Sequence, residues 1–274
     1  MKRILFFTLA VLLSTLSASA YDFKVDGIAY SFNNSYKPNA TYFYVARGSD
    51  KKNAISIPSR VTDGGYTLPV ATIAVEAFKD YTNLTSVSIP SSVTLIGYSA
   101  FEGCTSLTSV TLPNSITVIS EALFKNCTGL PSVTIPNSVT QIYKSAFEGC
   151  TGLTTITIPN SVTSIADSAF YGCSNLKYMQ LMCTTPPSIS GNSIPSGTLI
   201  CVRFGAYDAY KKDTNWSRFP IVDSYMVMGN DKGGGSFGGS GSGTKADPYL
   251  IFNPIQLHNI RNFTGYDDVY FKLM

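Results

Sequence analysis

Residues 84–106 read LTSVSIPSSVTLIGYSAFEGCTS, and residues 107–129 repeat them as LTSVTLPNSITVISEALFKNCTG. The same register runs outward in both directions. Phenylalanine recurs at Phe78, Phe101, Phe124, Phe147 and Phe170, each 23 residues after the last. Leucine does the same at Leu84, Leu107, Leu130, Leu153 and Leu176, and isoleucine at Ile73, Ile96, Ile119, Ile142 and Ile165. Cys104, Cys127, Cys150 and Cys173 make a fourth column, and Pro90, Pro113, Pro136 and Pro159 a fifth. Self-similarity at a fixed period of this length is the signature of a stacked, repetitive architecture.

Within the unit, Leu84, Val87 and Ile89 and their equivalents predict a short strand with one apolar face. The proline that follows cannot donate to a ladder, so it ends the strand and turns the chain. Val93 to Ile96 predicts a second extended piece. The Ser-Ala-Phe segment predicts a single helical or 3₁₀ turn, closed by the glycine or asparagine before each cysteine. One such coil buries too little apolar surface to offset the entropy of ordering its backbone. The coils must therefore stack, each strand about 4.8 Å from its copy in the next coil, with a continuous parallel ladder and a shared core. Charged positions suit that register: Lys79, Glu102, Lys125 and Glu148 alternate in sign, as do Glu121, Lys144 and Asp167. Exposed pairs are worth at most about 1 kcal/mol each, so these columns read as avoidance of like charges.

Residues 1–20, MKRILFFTLAVLLSTLSASA, have a basic start, an apolar run from Ile4 to Leu13 and small residues up to Ala20. They read as a secretory signal peptide cleaved after Ala20. The apolar run is shorter than the roughly 20 residues of a spanning helix, and no later segment is long enough for a transmembrane segment. Removing Lys2 and Arg3 leaves 18 basic against 17 acidic residues. A near-neutral chain lacks the positive field that draws phosphate backbones, which argues against a nucleic-acid partner.

The unit IP-x-S-V-T-x-I-x-x-x-A-F-x-x-C resembles the BspA-like leucine-rich repeats of surface proteins in Bacteroidetes and trichomonads. The resemblance covers about residues 21–226 and implies a leucine-rich-repeat solenoid. It implies a division into an N-terminal cap at 21–53, beginning YDFKVDGIAYSF, repeats at 54–182 and a C-terminal cap at 183–228. The first coil, Ala54 to Phe78, carries about nine extra residues around Asp63-Gly64-Gly65, which reads as a hairpin. The closing segment TLICVRFGAYDAYKKDTNWSRFPIV is similar to a strand and small helix that cover the last coil. Residues 229–243 are a Gly/Ser linker by composition. Residues 244–274 are similar to the opening of a second, β-helical module, with strands at PYLI and Val269 to Leu273 and a helical stretch from Pro254 to Asn262.

The residues offer no catalytic set. The one histidine, His258, lies beyond the linker, which removes Ser-His and Cys-His arrangements from the repeats. Glu102 and Glu148 share a column but lie two coils apart, about 10 Å by the strand spacing, with Lys125 between them. The four stacked cysteines have no CxxC spacing and suit small buried hydrophobes rather than a metal site. Cys183 and Cys201 bracket a Pro-rich loop and are the candidate disulfide of an exported protein. No cofactor is implied.

What remains is the outward face of the first strand. Ser86, Ser109, Ser132, Thr155 and Tyr178 form one column, and Ser88, Thr111, Thr134, Thr157 and Gln180 the other. Threonine suits any pleated surface; as a binding face, the same ladder offers donors and acceptors to a protein strand or a glycan. Tyr98, Tyr143 and Tyr171 on the turn side form a second candidate patch. The resemblance implies a secreted or cell-surface adhesion protein whose partner is a host or neighbouring-cell surface protein, a matrix protein or a glycan. The alternative is a structural spacer that presents a further C-terminal module, for instance a carbohydrate-active β-helical enzyme.

Overall fold

The computed structural model describes residues 21–33, 39–203, 205–224, 249–251 and 271–273. The expected signal peptide, the linker, the helical stretch at 254–262 and His258 lie outside the described residues. The chain forms a β-solenoid of about eight turns. Most coils give one strand to a front sheet and, past the proline, a two-residue strand to the back. On the front, Ala54–Ser56, Ser86–Ser88 and Ser109–Thr111 pair in parallel. Thr155–Ile158, Tyr178–Leu181, Leu199–Arg203 and Ile221–Ser224 do the same. The pairings Ser86↔Ser109 and Thr155↔Tyr178 set each residue beside its copy one repeat away. On the back, Val118–Ile119, Gln141–Ile142, Ser164–Ile165 and Ser188–Ile189 form the ladder.

Period-two alternation along the front strands sends Val87, Ile89, Ile156 and Ile158 into the space between the two sheets. The Leu, Ile and Phe columns fill the rest of it. Phe78, Phe101, Phe124, Phe147 and Phe170 stack ring on ring, with successive centroids 5.4, 5.7, 5.5 and 5.1 Å apart. All five are fully buried.

The turn side keeps to single turns of the 3₁₀ kind, one of the two forms expected. Glu76, Ser99, Ala122, Ser145 and Ser168, one per coil, take φ between 51° and 57°. A left-handed residue reverses the local twist, so single i→i−3 turns such as Cys104 N–H to Phe101 O and Ala77 N–H to Ala74 O do not run on into a helix. The other left-handed position falls at Asp80, Gly103, Asn126, Gly149 and Gly172, where the sequence supplies residues that tolerate it.

The front ladder is also not continuous as expected. It stops at Ser109–Thr111, and the strand that should follow, around Ser132 to Thr134, keeps only a single bridge, Thr134 to Thr157. The column that precedes each strand reads Thr85, Thr108, Pro131, Thr154, Lys177. Thr108 N–H donates to Thr85 O at 2.9 Å and Lys177 N–H to Thr154 O at 3.0 Å. Pro131 has no N–H to offer Thr108 O, and among the described residues no backbone hydrogen bond joins 108–111 to 131–134. Two neighbours register the mismatch: Val110 is half-exposed while Val87 and Val133 are buried, and the buried Ser138 hydroxyl lacks a partner. Its counterparts Ser92 and Ser161 donate to Val70 O and Val139 O. Pro131→Thr is expected to restore the ladder and raise the unfolding free energy by about 1–2 kcal/mol, after allowance for the lost rigidity of proline in the unfolded chain. Urea denaturation measures it; an unchanged midpoint would place the cause of the break elsewhere.

At the N-terminal end, Phe23–Val25, Ile28–Phe32 and Phe43–Val45 form an antiparallel trio that joins the back strand Tyr66–Ile73. Arg60–Asp63 and Tyr66–Ile73 pair as the hairpin read from Asp63-Gly64-Gly65, with Gly64 and Gly65 at φ 54° and 85°. At the other end, the front strand Leu199–Arg203 leads into the helix Tyr207–Lys212. Beyond it, Trp216 is fully buried and donates to Pro187 O at 2.7 Å. Tyr210 packs edge-on against it and donates to Cys183 O at 3.1 Å. In the tail, Tyr249–Ile251 and Phe271–Leu273 pair in parallel.

Candidate functional site

Alternation that buries Val87 and Ile156 turns their neighbours outward. Ser88, Ser109, Thr111, Ser132, Thr134, Thr155 and Thr157 are exposed, and Ser86, Tyr178 and Gln180 half-buried. Pairing registers Ser86 with Ser109, Ser88 with Thr111, Thr155 with Tyr178 and Thr157 with Gln180. The two expected columns thus exist as ladders, with the interruption at Pro131 between their halves. No residue in either column carries a formal charge.

Several hydroxyls elsewhere in the repeats are satisfied internally. Thr85, Thr108, Thr140 and Thr163 each donate to a carbonyl of the preceding coil. Ser115 and Ser120 donate to Val93 O and Ile96 O. On the front columns Thr157 Oγ1 donates to Gln180 Oε1 at 3.3 Å, while the serines and threonines upstream of it point outward. The front face therefore presents hydroxyls to whatever lies against it, whereas Thr85, Thr108, Thr140, Thr163, Ser115 and Ser120 use theirs to bind coil to coil.

Two shallow depressions border the downstream half of this face. One is lined by Ser132, Thr134, Thr155, Thr157, Pro159 and Met182, with Val133 and Ile156 beneath. The other lies at the strand starts, among Lys177, Tyr178, Pro195, Leu199 and Pro220. The sequence did not indicate either one, because each depends on how turns from different coils sit against the sheet. The turn-side tyrosines Tyr98, Tyr143 and Tyr171 are exposed, at 42, 42 and 55%. They stand in different columns: Tyr98 beside Glu121, Tyr143 beside Ala166, and Tyr171 beside Glu148.

The alternating charges form separate pairs rather than a continuous ladder. Lys79 meets Glu102 at 3.2 Å and Lys125 meets Glu148 at 3.0 Å, with Glu76 also bridging Lys79 and Arg47. Burial of Glu148 works against its charge, but hydrogen bonds from Ser145 and Lys125 hold its carboxyl below the ordinary range. Among the described residues no three His, Cys, Asp or Glu side chains are grouped to hold a metal.

All six cysteines are free and buried. Cys183 and Cys201, the candidate disulfide, do not pair. Cys201 shares the outward column of Gln180, its ladder partner, whereas Cys183 belongs to the core and donates to Pro159 O. Two residues on opposite faces of a sheet cannot meet. In the stacked column, Cys104, Cys127, Cys150 and Cys173 donate to Phe78, Phe101, Phe124 and Phe147 carbonyls at 3.0–3.1 Å. Burial pushes the Cys104 thiol up to about 12 and the Cys127 thiol well above its usual value. The Cys104 and Cys127 thiols thus stay protonated near neutral pH, and burial shields the whole column. They are expected to resist a water-soluble disulfide reagent at pH 8 and to react fully in denaturant. Because unfolded thiols ionise first, stability should fall as pH rises from about 9 toward 12. Rapid native labelling of the column would contradict its burial.

Residues 71–192 match the model of the BspA type leucine rich repeat region in six copies. Among solved structures, a leucine-rich cell surface protein from Faecalibacterium prausnitzii shares 34% identity at a TM-score of 0.50, over 57% of this chain and 38% of that one. The chain thus spans well under half the length of that protein. A leucine-rich repeat protein of T. pallidum shares 27% identity at a TM-score of 0.52, over 72% of this chain and 92% of that one. The pneumococcal vaccine antigen PcpA, 19% identical with a TM-score of 0.54, covers 74% of this chain and 47% of its own and is alike in fold alone. No curated protein matches the chain. No helix among the described residues is long and apolar enough to cross a membrane.

Proposed function

From a chain that carries a BspA-type leucine-rich repeat region over residues 71–192, we propose a secreted or cell-surface binding protein, not an enzyme, that holds its ligand on the front sheet. One observation carries this reading: the front hydroxyls of Ser88, Ser109, Thr111, Ser132, Thr134 and Thr155 make no internal hydrogen bonds among the described residues, whereas those of Thr85, Thr108, Thr140 and Thr163 tie coil to coil. A preformed ladder of donors and acceptors loses little freedom when a partner lands on it. The cell-surface character of the F. prausnitzii relative and the signal-like residues 1–20 support export. On this reading residues 21–53 and 183–228 close the two ends of the stack, and 244–274 begin a separate module.

Screening the protein against arrays of glycans and of host surface and matrix proteins tests it. A specific hit should be lost on joint alanine substitution of Thr111, Thr134 and Thr157. Binding unaffected by those changes would remove the front face from the proposal. The spacer alternative makes an opposite forecast: deleting two whole coils would leave function intact.

A further inference from the structure

We propose that the front face downstream of Pro131, from Ser132/Thr134 through Thr155/Thr157 to Tyr178/Gln180, is a subsite for an uncharged, extended polysaccharide. The chain lies across the strands, along the solenoid axis, with one sugar ring per coil. This deepens the binding role assigned above and rests on it.

Period is the first argument. Parallel strands repeat about every 4.8 Å, close to the advance of a pyranose ring linked through its opposite ends. A glycan along the axis therefore meets hydroxyl pairs at two successive steps, Ser132/Thr134 and Thr155/Thr157, and the Tyr178 ring with the Gln180 amide at the third. A peptide strand has a different repeat and would have to pair through backbone groups, which the ladder pairings Thr155↔Tyr178 and Thr157↔Gln180 already occupy. The second argument is charge: the two columns hold none, and of the residues lining the two depressions only Lys177 is charged. A polyanion finds no set of counter-charges here, whereas a neutral sugar chain finds the Ser132, Thr134 and Thr155 hydroxyls without an internal hydrogen bond among the described residues, beside a Thr157 hydroxyl that donates to Gln180.

Local relief supplies the third argument. Both depressions border this half of the face, and the nearer one sets the Ser132, Thr134, Thr155 and Thr157 hydroxyls beside the half-buried, apolar Met182 side chain. Sugar rings have the same amphipathic character, with polar edges and apolar C–H faces. The Tyr178 ring and the Gln180 amide stand at the downstream end, an aromatic plate beside a group that both donates and accepts. The broken ladder at Pro131 marks the upstream limit, since across it the regular spacing of the hydroxyl pairs is no longer held by hydrogen bonds.

Isothermal titration of the full chain with neutral β-1,4-linked glucose and N-acetylglucosamine oligosaccharides, from the monosaccharide to the hexasaccharide, tests this. Affinity is expected to rise several-fold with each sugar up to the trisaccharide and then level off. Thr157→Val, isosteric and exposed, should weaken trisaccharide binding by about tenfold, while Thr111→Val, upstream of the break, leaves it unchanged. Affinity independent of chain length, no binding by any oligosaccharide, or equal losses at Thr111 and Thr157 would each overturn the proposal. A protein ligand held through Thr111, Thr134 and Thr157 without any oligosaccharide binding would sink this inference and leave the front-face role standing. Ligands indifferent to those threonines would sink both.

Discussion

Phe124→Ala is expected to lower the unfolding free energy by about 3–5 kcal/mol. Phe124 is completely buried, stacked between Phe101 at 5.7 Å and Phe147 at 5.5 Å. Truncation leaves a void with stacked rings above and below, and neither can tilt into it without losing its own stack. The surrounding walls are Leu, Ile and Cys columns, and turn-side backbone hydrogen bonds from Phe101 N–H to Leu123 O and from Phe124 N–H to Ala146 O hold this coil to both neighbours, so collapse around the void is small. In a solenoid each coil holds only its neighbours, and a fault in a central coil uncouples the two halves. Urea unfolding monitored at several wavelengths should show a lower midpoint and a broader transition. A loss below about 1 kcal/mol would mean that the phenylalanine column is not buried.

Trp216→Ala is expected to be of the same size, about 3–5 kcal/mol, through a different mechanism. Trp216 closes the downstream end of the core: it lies 5.4 Å from the Tyr210 ring, 6.0 Å from Phe219, and donates to Pro187 O. Its removal opens the last coil to water and leaves the Pro187 carbonyl without its donor. Trp216→Phe should recover most of the packing yet stay about 1 kcal/mol below the parent, the net worth of that hydrogen bond. Loss of the cap should also expose the Cys183 thiol to reagent first, since Tyr210, which holds the Cys183 carbonyl, packs on Trp216. Wild-type stability in the alanine variant would show that the end of the stack needs no such plug.

Much of this architecture is legible in the sequence, because identical residues at a fixed interval have one economical packing. The Phe, Leu, Ile and Cys columns are buried as their spacing implies, and the hairpin at Asp63-Gly64-Gly65 forms where glycine permits positive φ. Three features are not legible there. The turn beside Phe101 contains a serine in the left-handed region, and Ser99 has no composition signal that separates it from a helical residue. Pro131 stands in plain view, but its effect depends on Thr108 O expecting a donor from that position in the next coil. Cys183 and Cys201 look pairable by their separation, whereas the one lies in the core and the other in the outward column, a distinction set by strand phase. The outward hydroxyl columns follow from the repeat; that Ser109, Thr111, Ser132, Thr134 and Thr155 keep their hydroxyls unspent while Thr85, Thr108, Thr140 and Thr163 donate to the preceding coil depends on contacts between coils.

The front face and the turn side are the two candidate binding surfaces, and one measurement separates them. Once an array hit is in hand, its affinity should be compared between the parent, a front variant with Thr111, Thr134 and Thr157 changed to glutamate, and a turn-side variant with Tyr98, Tyr143 and Tyr171 changed to serine. All six positions are exposed, so both variants should fold. The front variant is expected to lose at least about tenfold in affinity, roughly 1.4 kcal/mol, and the turn-side variant to bind like the parent. Retained binding by the front variant together with loss in the turn-side variant would contradict a ligand held on the front sheet.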